Sequence, residues 1–318
     1  MRAALVLGLI LAAAAHLLLP LTPLREAQAI DPDLADLILV QLRLPRTLLA
    51  LGYGAVLGAS GAALQAAFGN PLASPDISGA SSGAALGAVI GGYWLGLTQP
   101  LALAACGAAG AIGTLLLLMG LAGRRADTAT LLLAGLAISL AAGALTSLAL
   151  ALAPSPFAFY DAFDWLMGSF TDRSLVQAAA ALIPAGIATV LLLRRAKALD
   201  LLALGEDVAA SIGVRPGRLS VEVIALSAIA VGACVSVAGA IGFVGLVAPF
   251  LGRSLTRGHP GRAMLPAAAI GAILLALGDL AVRSIHLDRP IPVGVITALI
   301  GTPLFLWLVL TMRRRLAS

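Results

Sequence analysis

Asp279 and Arg283 lie four apart, acid before base, so they can pair across one turn of a helix. Arg283 could also serve a partner outside the chain. No other residues converge on a reaction. The phosphate-cradling loop G-x-x-x-x-G-K-[ST] is missing and the only lysine is Lys197, so the chain does not itself bind ATP in the P-loop manner. His16, His259 and His286 stand isolated and read as non-ligands. Cys106 and Cys234 sit in separate apolar runs and read as small packing residues, with no disulfide or metal site expected. A carrier driven by protons or sodium needs ionisable groups deep in the membrane. Here Glu222 and Asp279 fall near the ends of apolar runs, and the buried middles contain little beyond Gln65. This is the chemistry of a conduit that lacks its own energy source.

The longest polar interruption is Arg194 to Ser220, RRAKALDLLALGEDVAASIGVRPGRLS. Leu201, Leu204, Val208 and Ile212 recur at helical spacing, with Asp200, Glu206, Asp207 and Ser211 between them, which predicts a short amphipathic helix or helix pair. Gly205 and Gly213 punctuate it; Arg215, Pro216 and Gly217 end it. Such a segment is either a solvated loop helix, a helix lying on lipid, or one docked in a partner's groove.

The elements that hold these residues are membrane spans. The 318 residues are 60% hydrophobic and 11% charged, with a mean hydropathy of +1.04, values beyond a water-soluble domain. Apolar runs of about 20 residues recur, which favours a helical bundle over a barrel of short alternating strands. Ten spans are expected, near 3–21, 45–68, 79–97, 100–122, 129–150, 174–193, 219–239, 242–256, 264–282 and 292–312. Arg2, the run Ala3 to Leu19 and the A-x-A at Ala27 to Ala29 imitate a secretory signal. The run exceeds the usual signal core of about 7 to 15 residues and is read as an uncleaved first span. With both termini inside, Lys and Arg favour the inner face by roughly two to one. Membrane topology therefore accounts for the net charge of +5, and no nucleic-acid partner is expected.

Between the second and third spans, Asn70, Pro71, Pro75 and Asp76 break the helix, forming either an ordinary inner turn or a constriction at the mouth of a pathway. Gly54 and Gly58, then Gly79, Gly83, Gly87 and Gly91, repeat every fourth residue and predict ridges where helix backbones meet closely. Pro154 to Asp172 gathers aromatic residues beside Asp161 and Asp164, an interfacial belt or a re-entrant outer segment. Gly239, Gly242, Gly245 and Pro249 predict irregular or short helices, tolerated where protein or a cavity covers them.

Several stretches together resemble the permease subunits of type II ABC importers, the family that moves ferric siderophores, haem and cobalamin. They are RLPRTLLALGYGAVLGASGAALQAAFGNPLASPDISGASSGAALGA at 43–88, DWLMGS at 164–169, LGEDVAASIGV at 204–214, GAIGFVGLVAPFLGR at 239–253 and PVGVITALIGTPLFLWLV at 292–309. The resemblance implies an all-α integral membrane protein of about ten transmembrane helices in the type II importer permease fold. All of 1–318 would form a single transmembrane permease domain, with a cytoplasmic coupling segment at about 196–218. It implies a multi-pass inner-membrane protein with both termini cytoplasmic. Its partners would be a second copy of itself, two cytoplasmic ATPase subunits that bind ATP and Mg, a periplasmic substrate-binding protein and membrane lipid. No cofactor belongs to this chain. A ferric siderophore heads the solutes because it is the commonest in the family, and an ion-coupled secondary transporter is the alternative.

By the same resemblance Leu204, Gly205, Glu206, Asp207, Val208, Ala209, Ser211, Ile212 and Gly213 seat in a groove of the ATPase. Arg43, Arg46 and Arg283 meet acidic residues of the binding protein, and Asn70, Leu72 and Thr128 are gate candidates. Two departures stand out. Phe250 follows V-A-P where the family often has His, and Arg289-Pro290-Ile291 replaces an acidic approach to the last Pro-Val-Gly.

Overall fold

The computed structural model describes residues 2–75, 79–122, 128–153, 166–285 and 291–303, which contain helices and no strand. Helix α1 (Arg2–Leu18) is followed by α2 (Thr22–Ile30) and α3 (Pro32–Leu37), and a π-helical turn (Ile38–Arg43) runs straight into α4 (Leu44–Ala67). Next come α5 (Ala80–Val89) with a second π turn (Ile90–Trp94), α6 (Pro100–Ala122), α7 (Thr128–Ala151) and α8 (Leu175–Leu193). The polar stretch forms α9 (Ala196–Leu202) and α10 (Glu206–Ser211), and α11 (Pro216–Ala238), α12 (Val244–Leu255) and α13 (Pro260–Ser284) follow. The last described helix, α14, covers Val293–Pro303.

Each expected apolar run contains one of these helices. Among the described residues six are long and apolar enough to cross a membrane, and the bent pair Ala3–Leu18 and Thr22–Ile30 makes a seventh, so length and composition do not reach a count of ten. Local sequence sets the boundaries. Ser174 and Gln177 form a reciprocal capping box at the start of α8. Pro216 and Pro260 open α11 and α13, where the missing N–H costs nothing.

Helix α4 runs through the middle of the bundle, buried along nearly its whole second half. Glycine puts it there. A Cβ on Gly58 would strike the Ala267 carbonyl, and one on Gly54 or Gly271 would strike the other's backbone, so α4 and α13 run antiparallel in backbone contact. Gly83, Gly87 and Gly91 pack likewise onto Cys106, Gly110 and Thr114 of α6, so these ridges serve packing. Gly58→Leu is expected to cost upwards of about 3 kcal/mol through overpacking against a backbone that has nowhere to move. Gly186→Ala, whose Cβ meets nothing within 4 Å, should be neutral. The folded fraction of detergent-solubilised protein after heating, read by size-exclusion chromatography, checks both.

The expected irregular stretch follows α11. Gly239 (φ +76°) and Phe243 (φ +66°) turn the chain between two helices. Its freed backbone groups are satisfied from inside: Ser169 N–H donates to the Ala238 carbonyl at 2.8 Å, and Tyr53 Oη donates to the Gly239 carbonyl at 3.2 Å. Tyr53 also meets Phe170 edge to face, with ring centroids 6.5 Å apart. Asp161, Asp164 and the aromatic residues at 154–165 lie outside the described residues, as do Asp76, His286 and Arg289.

Candidate functional site

The first residues of α4, the last turn of α1 and the last turns of α13 meet at one end of the bundle, where the fold concentrates charge. Arg46 grips Asp279 with two nitrogens, Nε to Oδ2 at 2.7 Å and Nη2 to Oδ1 at 2.9 Å. This bidentate fork is the strongest geometry a guanidinium has for a carboxylate. His16, wholly buried, donates Nε2–H to the same Oδ2 at 2.9 Å, and its Nδ1 lies 2.8 Å from Thr47 Oγ1. Thr47 in turn donates to the Arg43 carbonyl at 2.8 Å.

The arginines also cap a helix. The last carbonyls of an α-helix have no partner within it and carry its negative dipole end. Arg43 Nη1 donates to the carbonyls of Leu17 (3.2 Å) and Leu18 (2.6 Å), its Nη2 donates to that of Pro20 (2.7 Å), and Arg283 Nη1 donates to that of His16 (2.8 Å). One carboxylate and one helix C-terminus thus hold three guanidinium groups together.

The structure corrects three expectations here. Asp279 pairs with Arg46 and His16, not with Arg283, because Arg46 enters from the neighbouring antiparallel helix with its fork in plane. His16 is not isolated; it is the centre of the cluster. The bundle interior holds more polarity than Gln65, since His16, Thr47 and Asp279 are all buried. Sequence reasoning missed His16 and Thr47 although a signal existed: two ionisable residues inside apolar runs, both near the same bundle end, are expected to find each other.

The three arginines named for binding-protein docking are therefore brought together, each with internal work. Arg43 is buried, while Arg46 and Arg283 are partly exposed. Arg173, in the loop before α8, has its pKa lowered by burial, which the neighbouring Asp172 carboxylate opposes.

The far ends of α4 and α13, about 36 Å away along the 24 residues of α4, carry the second constellation. Helix α9 is anchored by buried Leu199 and Leu202, and Asp200 Oδ1 accepts the Gly261 N–H at 2.8 Å, capping the start of α13. Gly205 (φ +110°) then turns the chain into α10, where only Ala209 is buried. The expected stripe is split between two helices because Leu204 falls in the link. Leu204, Val208 and Ile212 are nevertheless exposed by 63%, 45% and 57% and leave an apolar surface without cover. Glu206 and Asp207 occupy the first turn of α10, where its dipole favours acids. Ser211 hydroxyl turns back onto the Val208 carbonyl at 2.7 Å, and Gly213 (φ +94°) ends the segment. Glu222, one turn into α11, takes Arg195 and Arg218 at 3.1 Å each.

Of the gate candidates, Asn70 and Leu72 share one turn. Asn70 Oδ1 accepts the Leu72 N–H at 2.9 Å, fixing the turn after α4, and Leu72 is exposed. Thr128 opens α7, and its side chain lies outside the described residues. A cavity of about 620 Å³ opens between the break after α11 and α14, lined by Leu166, Met167, Ala240, Gly294, Ala298 and Leu299.

Apolar spans packed through small residues, with charged clusters at the two ends of the central helices, define a multi-pass membrane protein. The model of the FecCD transport family matches residues 3–311. The vitamin B12 import system permease protein BtuC of Citrobacter koseri is 38% identical over 284 residues, covering 88% of this chain and 84% of that one. The BtuC protein of Salmonella typhimurium is also 38% identical, over 88% of this chain and 85% of its own length. A solved inward-facing metal-chelate type ABC transporter superposes with a TM-score of 0.86 at 33% identity, covering 97% of this chain and 98% of that chain. PsaBC from Streptococcus pneumoniae in complex with Fab, at 20% identity and a TM-score of 0.51, shares the fold. The chain belongs to the FecCD transport family and is an ABC importer permease, a transport subunit and not a catalytic enzyme.

Proposed function

We propose that this chain forms, with a second copy of itself, the membrane path of an ATP-driven importer that carries a metal chelate into the cytoplasm. The observation that carries the proposal is the exposed apolar seat Leu204, Val208 and Ile212 on a segment that caps a spanning helix. A cytoplasmic ATPase dimer that binds ATP and Mg would sit there, both chain termini would lie on that side in the inner membrane, and the Arg43–Arg46–Arg283 end would face the periplasm. Asn70, Leu72 and Thr128 are proposed to gate the inner mouth, and the cavity beside α14 to line the path. An ion-coupled carrier is not favoured, because the buried acid such a carrier needs is here tied bidentately to Arg46.

Relatives named as vitamin B12 permeases move cobalamin ahead of a ferric siderophore or haem as the first solute to test. The complex is reconstituted with its ATPase and binding protein, and ATP hydrolysis is measured with each chelate in turn. Stimulation by cobalamin alone is expected. Uptake driven by an ion gradient without an ATPase would overturn the proposal.

Arg283 offers the cleanest test of the periplasmic end, since it makes one hydrogen bond to the cluster and leaves the Asp279 fork untouched. Arg283→Gln is expected to weaken binding-protein affinity by about tenfold, more at low salt than at high, through a slower encounter. Unchanged affinity at both salt concentrations would remove Arg283 from the docking surface.

A further inference from the structure

Arg253, in the last turn of α12, has two buried nitrogens, Nε and Nη2, with no hydrogen-bond partner among the described residues. These two atoms form the edge of a guanidinium that grips a carboxylate bidentately, the same edge Arg46 presents to Asp279. Leaving such an edge buried and unpaired is costly, and a fold keeps it only where a partner arrives in another state. Arg253 lines a cavity of about 430 Å³ between the far end of α4, the α9–α10 link and the start of α13. Gln65, Phe68, Leu202, Glu206 and Pro260 line it too.

Among the described residues Glu206 is the only carboxylate in that wall, and it makes no ion pair. Asp200 caps α13 and Glu222 holds two arginines, and the neighbouring Asp207 does not line the cavity. The arm that carries Glu206 is thinly anchored. Helix α9 is fixed by Leu199, Leu202 and Asp200, whereas α10 buries only Ala209 and hangs from Gly205, whose φ of +110° suits glycine alone.

We propose that Arg253 and Glu206 are a positioning pair of the transport cycle. They stand unpaired across the cavity in this conformation and close into a bidentate ion pair when a partner pushes α10 towards the bundle. The closed pair would carry displacement of α10 into α12 and the adjoining start of α13. This rests on the reading of α9–α10 as the ATPase seat.

The test uses the reconstituted complex with its ATPase and binding protein, scored as solute taken up per ATP hydrolysed. Arg253→Gln and Glu206→Gln are each expected to lower that ratio by about tenfold, with the double variant no worse than either single. The exchange Arg253→Glu with Glu206→Arg should restore it to within about threefold, a rescue that a merely structural arginine would not give. As an independent reading, the double variant Glu206→Cys with Arg253→Cys should cross-link more with trapped nucleotide than without it. Additive losses, no rescue by the exchange and nucleotide-independent cross-linking would overturn the pair. Loss with Arg253→Gln and wild-type behaviour with Glu206→Gln would overturn it too, and would assign the arginine to an outside anion, an ATPase carboxylate or a lipid headgroup. In each of these cases wild-type coupling persists, whereas a wild-type complex whose ATPase ignores the loaded binding protein would sink the seat itself.

Discussion

Asp279→Ala is expected to be the most damaging single substitution at the arginine cluster, costing about 3–5 kcal/mol of stability. The loss is not the worth of one salt bridge. Removing the carboxylate strands the buried His16 Nε2 and the largely buried Arg46 fork beside Arg43 and Arg283, whose charges then repel unopposed. Asp279→Asn keeps the shape and one acceptor and should fall between wild type and alanine. The informative control removes the polarity altogether: His16→Leu, Arg46→Met and Asp279→Leu combined should retain more folded protein than Asp279→Ala alone, because apolar side chains of similar volume leave nothing unsatisfied. Size-exclusion profiles of heated samples rank the variants. An Asp279→Ala protein as heat-resistant as wild type would mean that water reaches the cluster.

Much of the bundle is legible in the sequence because its physics is local. A run of about 20 apolar residues crosses a bilayer wherever it stands, and glycines at every fourth position make a flat ridge whatever helix lies opposite. The pairs Gly54/Gly58 and Gly83/Gly87 were legible as ridges for that reason, though not that Gly271 and Gly110 answer them.

The arginine cluster shows where local reasoning stops. Asp279 and Arg283 have the spacing of a helical pair, yet the acid turns to a residue 233 positions away in sequence. The i,i+4 rule ranks partners on one helix surface, and its few tenths of a kcal/mol give way to a bidentate, desolvated partner from a neighbour. Arg253 lies within the stretch GAIGFVGLVAPFLGR, yet its role is not legible there, because its signal is the absence of an acceptor, which requires every neighbour to be placed. The coupling segment was legible in composition and not in shape. The Leu204–Val208–Ile212 stripe predicts a single face, but Gly205 breaks the helix inside it, so its continuity is one of exposed surface and not of helix.

That surface gives the prediction with the largest functional effect. Replacing Leu204, Val208 and Ile212 together by serine is expected to weaken ATPase association by about a hundredfold. Each side chain is about half exposed, so docking would bury roughly 1 kcal/mol apiece, and about 3 kcal/mol corresponds to two orders of magnitude in Kd. The fold should not suffer, because Leu199, Leu202 and Ala209 anchor the segment and none is changed. Heat resistance should match wild type while co-purification with the ATPase fails. The three readings of an amphipathic segment separate on this result. A helix lying on lipid would keep its ATPase and lose membrane contact, and a solvated loop helix would lose neither. If the seat holds, its position explains the rest of the design. A push that presses α10 onto the bundle would meet α12 and the start of α13, which Asp200 of α9 caps, and α13 lies backbone to backbone on α4 through Gly54, Gly58 and Gly271. Two helices in such contact cannot slide without collision, so the pair moves as one rod. Its other end is the cluster that holds α1 through Arg43 and Arg283. On that reading the buried ion pair at one end and the glycine contact in the middle would serve the same purpose, keeping stiff the connection between the side where force enters and the side where the solute is received.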